Sequence, residues 1–303
     1  MPVDLHQHLW PEAFLTALRE RRSGPRLDGW DLHLPGERTH AIDPAHHDPF
    51  ARAARAAAAG EELVCVAPSA ALGLDRLPPA HAEELAGAWL EGALALPPPF
   101  RAWAMVGIQE PDPAALRAAL ERGAVGLEVA ADVLAAPDGL ERLAPLLDVL
   151  EAAGAPLLVH PGPAGGHDAP NRPDWWAPVV PYVAQLHAAW WAWAAGGRDR
   201  FPELRVCFAA LAGLGPLHGE RQRARGGERA AIDPLTFVET SSYGTQAVDA
   251  VIRVLGIDVV CHGSDHPYCA PSPAAALGDA ALHAIRTTNP GRLLARITEE
   301  VPA

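Results

Sequence analysis

The strongest constraint on this chain is a regular alternation of short apolar segments with helix-like segments along its whole length. Such alternation is typical of a parallel sheet in which each strand is followed by a helix. Helix boundaries are marked between several segments, since Asp112-Pro113 and Gly123 bracket one predicted helix and Asp138-Gly139 and Gly154 bracket another. Eight apolar segments are predicted as strands: residues 3–9, 63–68, 100–108, 125–130, 156–160, 204–211, 235–240 and 257–263.

Eight strand–helix repeats predict an α/β fold of the distorted (β/α)8, or TIM, barrel type, which typically needs about 250 residues. The surplus lies in two long loops, residues 23–49 after the first strand and 161–200 after the fifth. We expect residues 1–303 to form a single domain with a lid-like insertion at about residues 23–50. The alternative is a doubly wound open sheet, which is disfavoured because no glycine-rich phosphate-binding turn follows a strand.

Charge and composition exclude several classes of function. The chain has 37 acidic and 24 basic residues, a net charge of -13, which would repel nucleic acid. It contains no lysine, so a Schiff-base lysine, a P-loop lysine and a carboxylated lysine bridging two metals are excluded. No apolar run is long enough to span a membrane, no basic segment of a signal peptide is present, and the four cysteines form no Cys-x-x-Cys motif. We expect a cytoplasmic protein with no membrane partner.

Three histidines and one aspartate lie where predicted strands end. His6 and His8 are two residues apart on the first strand, so both side chains leave it on the same face. His160 ends the apolar segment of the fifth strand, and Asp265 follows the eighth. Solvated or core histidines, and an Asx turn at Asp265, are the structural alternatives. Because the carboxyl ends of barrel strands meet on one face, these side chains predict a site for one divalent metal ion, zinc first among the candidates.

Four segments that span nearly the whole chain resemble a known family. They are Asp4-Leu5-His6-Gln7-His8, Leu158-Val159-His160-Pro161, Phe201-Pro202-Glu203-Leu204-Arg205-Val206 and Gly263-Ser264-Asp265-His266-Pro267. The pattern is similar to the amidohydrolase superfamily, in the amidohydrolase-related branch that includes aminocarboxymuconate semialdehyde decarboxylase-like enzymes. The resemblance implies that His6, His8, His160 and Asp265 ligate a zinc-like ion together with a solvent molecule. It also implies that the loop after the first strand covers the pocket, and with the Trp-rich loop 161–200 it favours a homodimer.

One residue departs from the family pattern. Ala210 stands where the resemblance implies a histidine that assists proton transfer, and alanine cannot take a proton. Asp265 is the first candidate for a replacement base, since a metal-bound carboxylate lies within hydrogen-bond reach of bound water. His218, in the segment after the sixth strand, is the second candidate, with a surface or capping histidine as its structural alternative.

Three further residues are assigned to binding of a small-molecule substrate: Trp10, Glu128 and Arg221. Trp10 follows His8 by two residues and is placed beside the metal. Glu128 lies on the fourth strand, where some relatives have a metal bridge, although a glutamate there could instead face the helices in a salt bridge with arginine. Arg221 lies three residues after His218.

Together these residues predict a metal-dependent enzyme related to hydrolases and carboxy-lyases. The preferred reaction is hydrolysis of a small lactone, amide or ester by water whose pKa the metal lowers to about 7. The first alternative is nonoxidative decarboxylation of a small carboxylic acid, aromatic acids included. The second is a barrel that binds metal without catalysis, because Ala210 supplies no base.

Overall fold

The computed structural model describes residues 1–165, 172–228, 232–269 and 274–295. Eight of its strands are parallel members of a barrel, and each lies inside one of the eight predicted segments. Three others form a small antiparallel sheet within the predicted insertion. In chain order the strands are β1 (Val3–His8), β2 (Arg26–Asp28), β3 (Asp31–His33), β4 (His40–Ala41), β5 (Leu63–Ala67), β6 (Phe100–Ala102), β7 (Leu127–Ala130), β8 (Leu157–His160), β9 (Val206–Phe208), β10 (Thr236–Glu239) and β11 (Val260–Cys261).

The barrel consists of two regular parallel sheets joined along two irregular seams. One sheet has the order β1-β5-β6 and the other the order β11-β10-β9-β8-β7. At the first seam, the Ala104 and Glu128 amides donate to Gly126 and Ala104 carbonyls at 2.8 and 2.9 Å. At the second, the Leu5 amide donates to His262 O at 3.0 Å and the Asp265 amide donates to His6 O at 2.8 Å. The second seam therefore joins the first barrel strand, β1, to the last described one, β11.

Helices cover the outside of the strands. Their starts follow the sequence signals: the Asp112 carboxylate accepts from the Ala114 amide at 2.8 Å, and Gly154 ends a long helix with a φ of 59°. The α-helices of the described residues are α1 (Glu12–Glu20), α2 (Pro49–Ala58), α3 (Pro79–Leu94), α4 (Pro113–Glu121), α5 (Ala131–Ala135), α6 (Gly139–Ala153), α7 (Trp176–Val179), α8 (Pro181–Ala192), α9 (Arg198–Arg200), α10 (Gly219–Ala224), α11 (Thr245–Leu255), α12 (Asp279–His283) and α13 (Asn289–Leu293).

The barrel interior below the strand ends is apolar. Residues at alternate positions of the strands point inward and form one buried cluster, and their neighbours pack outward against the helices. Three of the four cysteines belong to this interior and are fully buried. The inward set includes Val3, Leu5, Cys65, Trp103, Leu158, Cys207, Phe237 and Cys261. Polar side chains on the inner face are therefore confined to the region nearer the carboxyl ends.

The predicted fold class is confirmed: the chain is an α/β protein with eight parallel strands in barrel order. The long loop after β1 contains the three-stranded antiparallel sheet, and part of the long loop after β8, residues 166–171, lies outside the described residues. Within the described ranges, no helix has both the length and the apolar character needed to cross a membrane.

Candidate metal centre

Four side chains that are far apart in sequence converge at the carboxyl end of the barrel. Each of His6, His8, His160 and Asp265 offers one donor atom, and these four atoms lie within 4.8 Å of one another. The three imidazole rings are nearly perpendicular in pairs, with centroids 4.8 to 5.2 Å apart. The Asp265 Oδ1 atom lies 3.0 Å from His8 Nε2 and 3.7 Å from His6 Nε2. The structure thus brings together all four residues that the sequence predicts as metal ligands.

Hydrogen bonds from the Nδ1 atoms of His8 and His160 determine that the Nε2 atoms of these rings face the centre of the cluster. His8 Nδ1 donates to the Ala67 carbonyl at 3.0 Å, and His160 Nδ1 donates to the Pro161 carbonyl at 2.8 Å. A carbonyl oxygen can only accept, so the proton is on Nδ1 and the lone pair of Nε2 points inward. Lone pairs of imidazole and carboxylate that face each other repel unless a cation lies between them. The donor set therefore fits a divalent metal.

One further residue of this site, Glu239 at the end of β10, is not among those predicted from the sequence. Its Oε1 atom lies 3.2 Å from His6 Nδ1 and accepts from the Ala210 amide at 2.7 Å. Its Oε2 atom accepts from the Ser241 amide at 2.6 Å. A carboxylate that accepts the Nδ1 proton of a ligating histidine orients the ring and raises its basicity. Glu239 ends an apolar strand as His160 does, and that shared pattern is the signal that could have identified it.

The electrostatics of the cluster favour a positive charge. Burial lowers the pKa of His6, but the hydrogen bond to Glu239 and the charges of Glu239 and Asp265 outweigh it and raise this pKa to about 9. Burial lowers the pKa of His160, and His6 and His8 lower it further. Although burial opposes the shift, the neighbouring imidazoles of His8, His6 and His160 hold the pKa of Asp265 well below its usual range. A cation at the centre would be stabilised by two carboxylates.

An irregularity in β1 determines which of its residues face the site. Asp4 pairs with Val64 but Gln7 pairs with Val66, so β1 has one extra residue between them, a β-bulge. Leu5 is consequently part of the barrel interior while His6 and His8 also point inward. Asp4, which strict alternation would place beside His6, faces outward and accepts from the Gln7 side chain at 2.8 Å.

Backbone strain is concentrated around the same cluster. Among the described residues, every non-glycine residue with positive φ closely follows the carboxyl end of a barrel strand. Ser69, Ser242 and Asp265 have φ values of 89°, 65° and 55°. After β9, residues 210–214 are all left-handed, with φ between 45° and 60°. Such conformations cost on the order of 1–3 kcal/mol each and cluster at functional sites.

The remaining predicted site residues have different surroundings. Trp10 is fully buried, stacks on His47 at 4.7 Å and donates its indole N–H to the Pro68 carbonyl. Glu128 is buried on the inner face, with Oε1 3.9 Å from His160 Nδ1, and burial raises its pKa to about 6. It thus faces the site and not the helices. Within the described part of the chain, neither Glu128 oxygen has a hydrogen-bond partner.

His218 and Arg221 are not brought into the cluster. His218 is exposed and stacks on His187, with ring centroids 4.7 Å apart. Arg221 is exposed on α10, and neither residue belongs to the set whose donor atoms converge, as searched over the described ranges. The left-handed turn after β9 explains this, since it is followed by a segment that carries residue 218 to the surface. Ala210 itself is half-buried at the start of that turn and contacts Glu239 through its amide.

Comparison with known proteins identifies relatives of the whole chain and of part of it. The amidohydrolase family model matches residues 3–296. The 2-amino-3-carboxymuconate-6-semialdehyde decarboxylase of Dictyostelium discoideum is 27% identical over 168 residues. That alignment covers 50% of this chain and 46% of the length of the relative. The predicted resemblance to this group of enzymes is confirmed.

Solved structures with the same fold include other decarboxylases. The apo form of IDCase from Metarhizium anisopliae has a TM-score of 0.73 at 17% identity and covers 98% of this chain and 97% of its own. The 5-carboxyvanillate decarboxylase of Sphingomonas paucimobilis has a TM-score of 0.71 at 17% identity, covering 97% of this chain and 98% of its own. The corresponding enzyme of Novosphingobium aromaticivorans has a TM-score of 0.69 at 16% identity and covers 97% of this chain and 96% of its own. That structure is complexed with manganese and 4-hydroxy-3-methoxy-5-nitrobenzoic acid. The predicted enzyme class, hydrolase or carboxy-lyase of this family, agrees with the decarboxylase of Dictyostelium discoideum, and the three solved structures show the same fold as this chain.

Proposed function

This chain belongs to the amidohydrolase family, and from that premise we propose that it is a metal-dependent, nonoxidative decarboxylase of a small aromatic carboxylic acid. The observation that carries the proposal is the convergence of three imidazoles and one carboxylate on one point at the carboxyl end of the barrel. The partial relative is a decarboxylase, and decarboxylases recur among proteins of the same fold. These matches support decarboxylation over the hydrolysis that the sequence alone favours.

His6, His8, His160 and Asp265 would hold one divalent ion, and we name zinc first, although manganese suits the same ligands. When bound, such an ion acts as a Lewis acid toward substrate oxygens and lowers the pKa of water. Glu239 holds the His6 ring, and backbone carbonyls hold the other two rings. These contacts keep the donor atoms in place before substrate arrives, which reduces the reorganisation needed for catalysis.

The protein must also supply a proton to the carbon that loses carbon dioxide. That proton comes from solvent, and Asp265 is the carboxylate we assign to accept it and pass it on, because its side chain is 18% exposed whereas those of Glu239 and Glu128 are fully enclosed. The half-exposed Tyr268 ring lies 5.3 Å from the His8 ring and offers an aromatic face to a planar substrate. The apolar barrel interior beneath the cluster excludes water from below.

Ala210 is the observation that keeps hydrolysis as a second candidate. The decarboxylase pattern implies a histidine there, and hydrolysis could proceed with Asp265 alone as the base. We therefore expect Ala210→His to increase carbon dioxide release by at least about 100-fold, the lower end of the range for a general acid–base group. No increase, with metal binding intact, would count against the analogy with the decarboxylases.

The direct test is turnover by the metal-loaded protein on panels of aromatic acids, lactones, esters and amides. We expect release of carbon dioxide from an aromatic acid, abolished together with metal binding in His6→Ala and strongly reduced in Asp265→Asn. Hydrolysis without carbon dioxide release would replace this proposal with the second candidate. Metal binding without any turnover would identify a binding protein instead.

A further inference from the structure

Two side chains outside the predicted ligand set form a chain of short contacts that ends on Asp265. Ser242 Oγ lies 2.9 Å from Cys269 Sγ, and Cys269 Sγ lies 3.3 Å from Asp265 Oδ2. An ionised carboxylate can only accept hydrogen bonds, so the thiol donates its single proton to Oδ2. The sulfur is then left to accept the hydroxyl proton of Ser242. The direction of both hydrogen bonds follows from the donor capacity of each group.

These two hydrogen bonds give the two carboxylate oxygens of Asp265 different roles. Oδ2 is held by the thiol, and Oδ1 faces His8 Nε2 at 3.0 Å and His6 Nε2 at 3.7 Å. The backbone at Asp265 is fixed as well, because its amide donates to the His6 carbonyl at 2.8 Å. With the backbone held, the remaining freedom is rotation of the carboxylate, which the contact from Cys269 opposes.

Cys269 also differs from the other three cysteines. Cys65, Cys207 and Cys261 are fully buried in the apolar interior, where a thiol packs as a small hydrophobic group. Cys269 lies on the loop after β11 and is partly exposed beside polar partners. Packing therefore does not account for a thiol at this position.

We infer that Cys269, held by Ser242, is a positioning residue that orients the Asp265 carboxylate for a divalent cation. This inference rests on the proposed function, because it takes Asp265 as a ligand. Partners of this kind, which bind a ligand and not the metal, typically change metal affinity by about 10–100-fold when removed.

The test is the affinity of the full-length, metal-free protein for Mn²⁺, measured by competition with a chelator. We expect Cys269→Ala to raise the dissociation constant about 10–100-fold. Cys269→Ser keeps a donor at the same position, so its dissociation constant should stay close to that of the wild type and well below that of Cys269→Ala. The thermal unfolding midpoint of the metal-free protein should be the same for all three, since a merely structural role would lower it in Cys269→Ala.

His6→Ala separates failure of this inference from failure of the proposed function. If His6→Ala abolishes Mn²⁺ binding while Cys269→Ala binds as tightly as the wild type, only the role of Cys269 is overturned. If His6→Ala binds normally, the metal centre and the proposed function fall together. Equal weakening in Cys269→Ala and Cys269→Ser would overturn the hydrogen bond as the cause.

Ser242→Ala provides a second route if Cys269→Ala does not fold. This variant removes the donor to the sulfur and keeps the thiol. We expect it to bind Mn²⁺ more weakly than the wild type, with a smaller loss of affinity than in Cys269→Ala. Unchanged binding in Ser242→Ala, with Cys269→Ala unfolded, would overturn the inference.

Discussion

At the scale of single residues, the site depends on where each histidine places its Nδ1 proton. Two of the rings donate that proton to backbone carbonyls, and His6 directs Nδ1 toward the Glu239 carboxylate. A carbonyl is a fixed feature of the fold, whereas a carboxylate adds charge. Glu239 therefore contributes both the orientation of one ring and negative potential at the centre.

Replacing Glu239 tests both contributions. The carboxylate accepts from His6, Ala210 and Ser241, and Glu239→Gln would place an amide donor among these donors. We expect metal affinity to fall about 10–100-fold and the free energy of unfolding to fall by about 1–3 kcal/mol. A chelator competition and urea unfolding of the metal-free protein measure the two effects separately.

Ser241→Ala is the matched control for that variant. It removes one hydroxyl donor to Glu239, at 2.6 Å, and leaves the contact between Glu239 and His6 in place. Its metal affinity should remain close to that of the wild type. Equal affinities in Glu239→Gln and the wild type would show that the carboxylate does not act through His6.

The sequence predicts the four cluster residues because strand alternation and strand ends are visible in it. His6 and His8 share a face by their spacing, and His160 and Asp265 follow apolar runs. The surroundings of the cluster are not visible in this way. The hydrogen bond from Glu239 to His6 joins residues 233 positions apart, and the surface position of His218 depends on the left-handed turn after β9. Contacts of this kind are set by tertiary packing, not by local pattern.

At the scale of elements, the seam between β1 and β11 is a distinct part of the barrel. On the outer face of this seam, Oδ2 of Asp4 lies 3.7 Å from His262 Nε2, and Oε1 of Glu61 lies 4.0 Å from the same nitrogen. Arg286 approaches Glu61 at 3.8 Å, and the Gln7 amide contacts both carboxylates. This network joins the start of the chain to its last described strand, so its protonation should influence stability.

Glu61 gives the seam a pH dependence. Burial and the charge of Asp4 raise the pKa of Glu61 to about 7, against the partial compensation of Arg286 and Arg55. The unfolded chain loses this proton near pH 4.5, so wild-type stability falls as the pH rises from about 4.5 to 7 and then stays lower. Relative to the wild type, the free energy of unfolding of Glu61→Gln should therefore be higher at pH 8 than at pH 5, by on the order of 1–3 kcal/mol. Urea unfolding at the two pH values measures this difference.

The neighbouring Glu62 serves as the control. It is exposed, and Glu62→Gln should change stability by the same small amount at both pH values. If the difference in free energy of unfolding between Glu61→Gln and the wild type does not change with pH, the ionisation of Glu61 does not affect the stability of the seam.

The eight barrel strands can be located from the amino-acid sequence, whereas their lengths and the closure of the ring cannot. The segment predicted at 204–211 contains a strand of only three residues, because the chain turns left-handed from Ala210. The bulge in β1 is also absent from any local pattern, since it depends on the register with β5. Apolar periodicity indicates that a strand exists, whereas its end depends on what the neighbouring strand allows.

At the scale of the whole molecule, the cluster brings together three parts of the chain that are far apart in sequence. Its residues come from β1, β8 and the segment after β11, so the unfolded chain presents no comparable site. A ligand that binds only the folded state stabilises it by an amount set by its concentration and affinity. Because β1 and the segment after β11 lie on opposite sides of one seam, a bound cation would also hold that seam closed.

We therefore expect Mn²⁺ at about 100 times its dissociation constant to raise the free energy of unfolding by about 2.7 kcal/mol. His160→Ala should lose this gain, because it removes a ligand contributed by β8. His218→Ala, which removes an exposed histidine outside the cluster, should keep the whole gain. Urea unfolding of the three proteins with Mn²⁺ and with a chelator measures these differences. An equal gain in His160→Ala would place the cation elsewhere, and a lost gain in His218→Ala would mean that the segment after β9 reaches the site in solution.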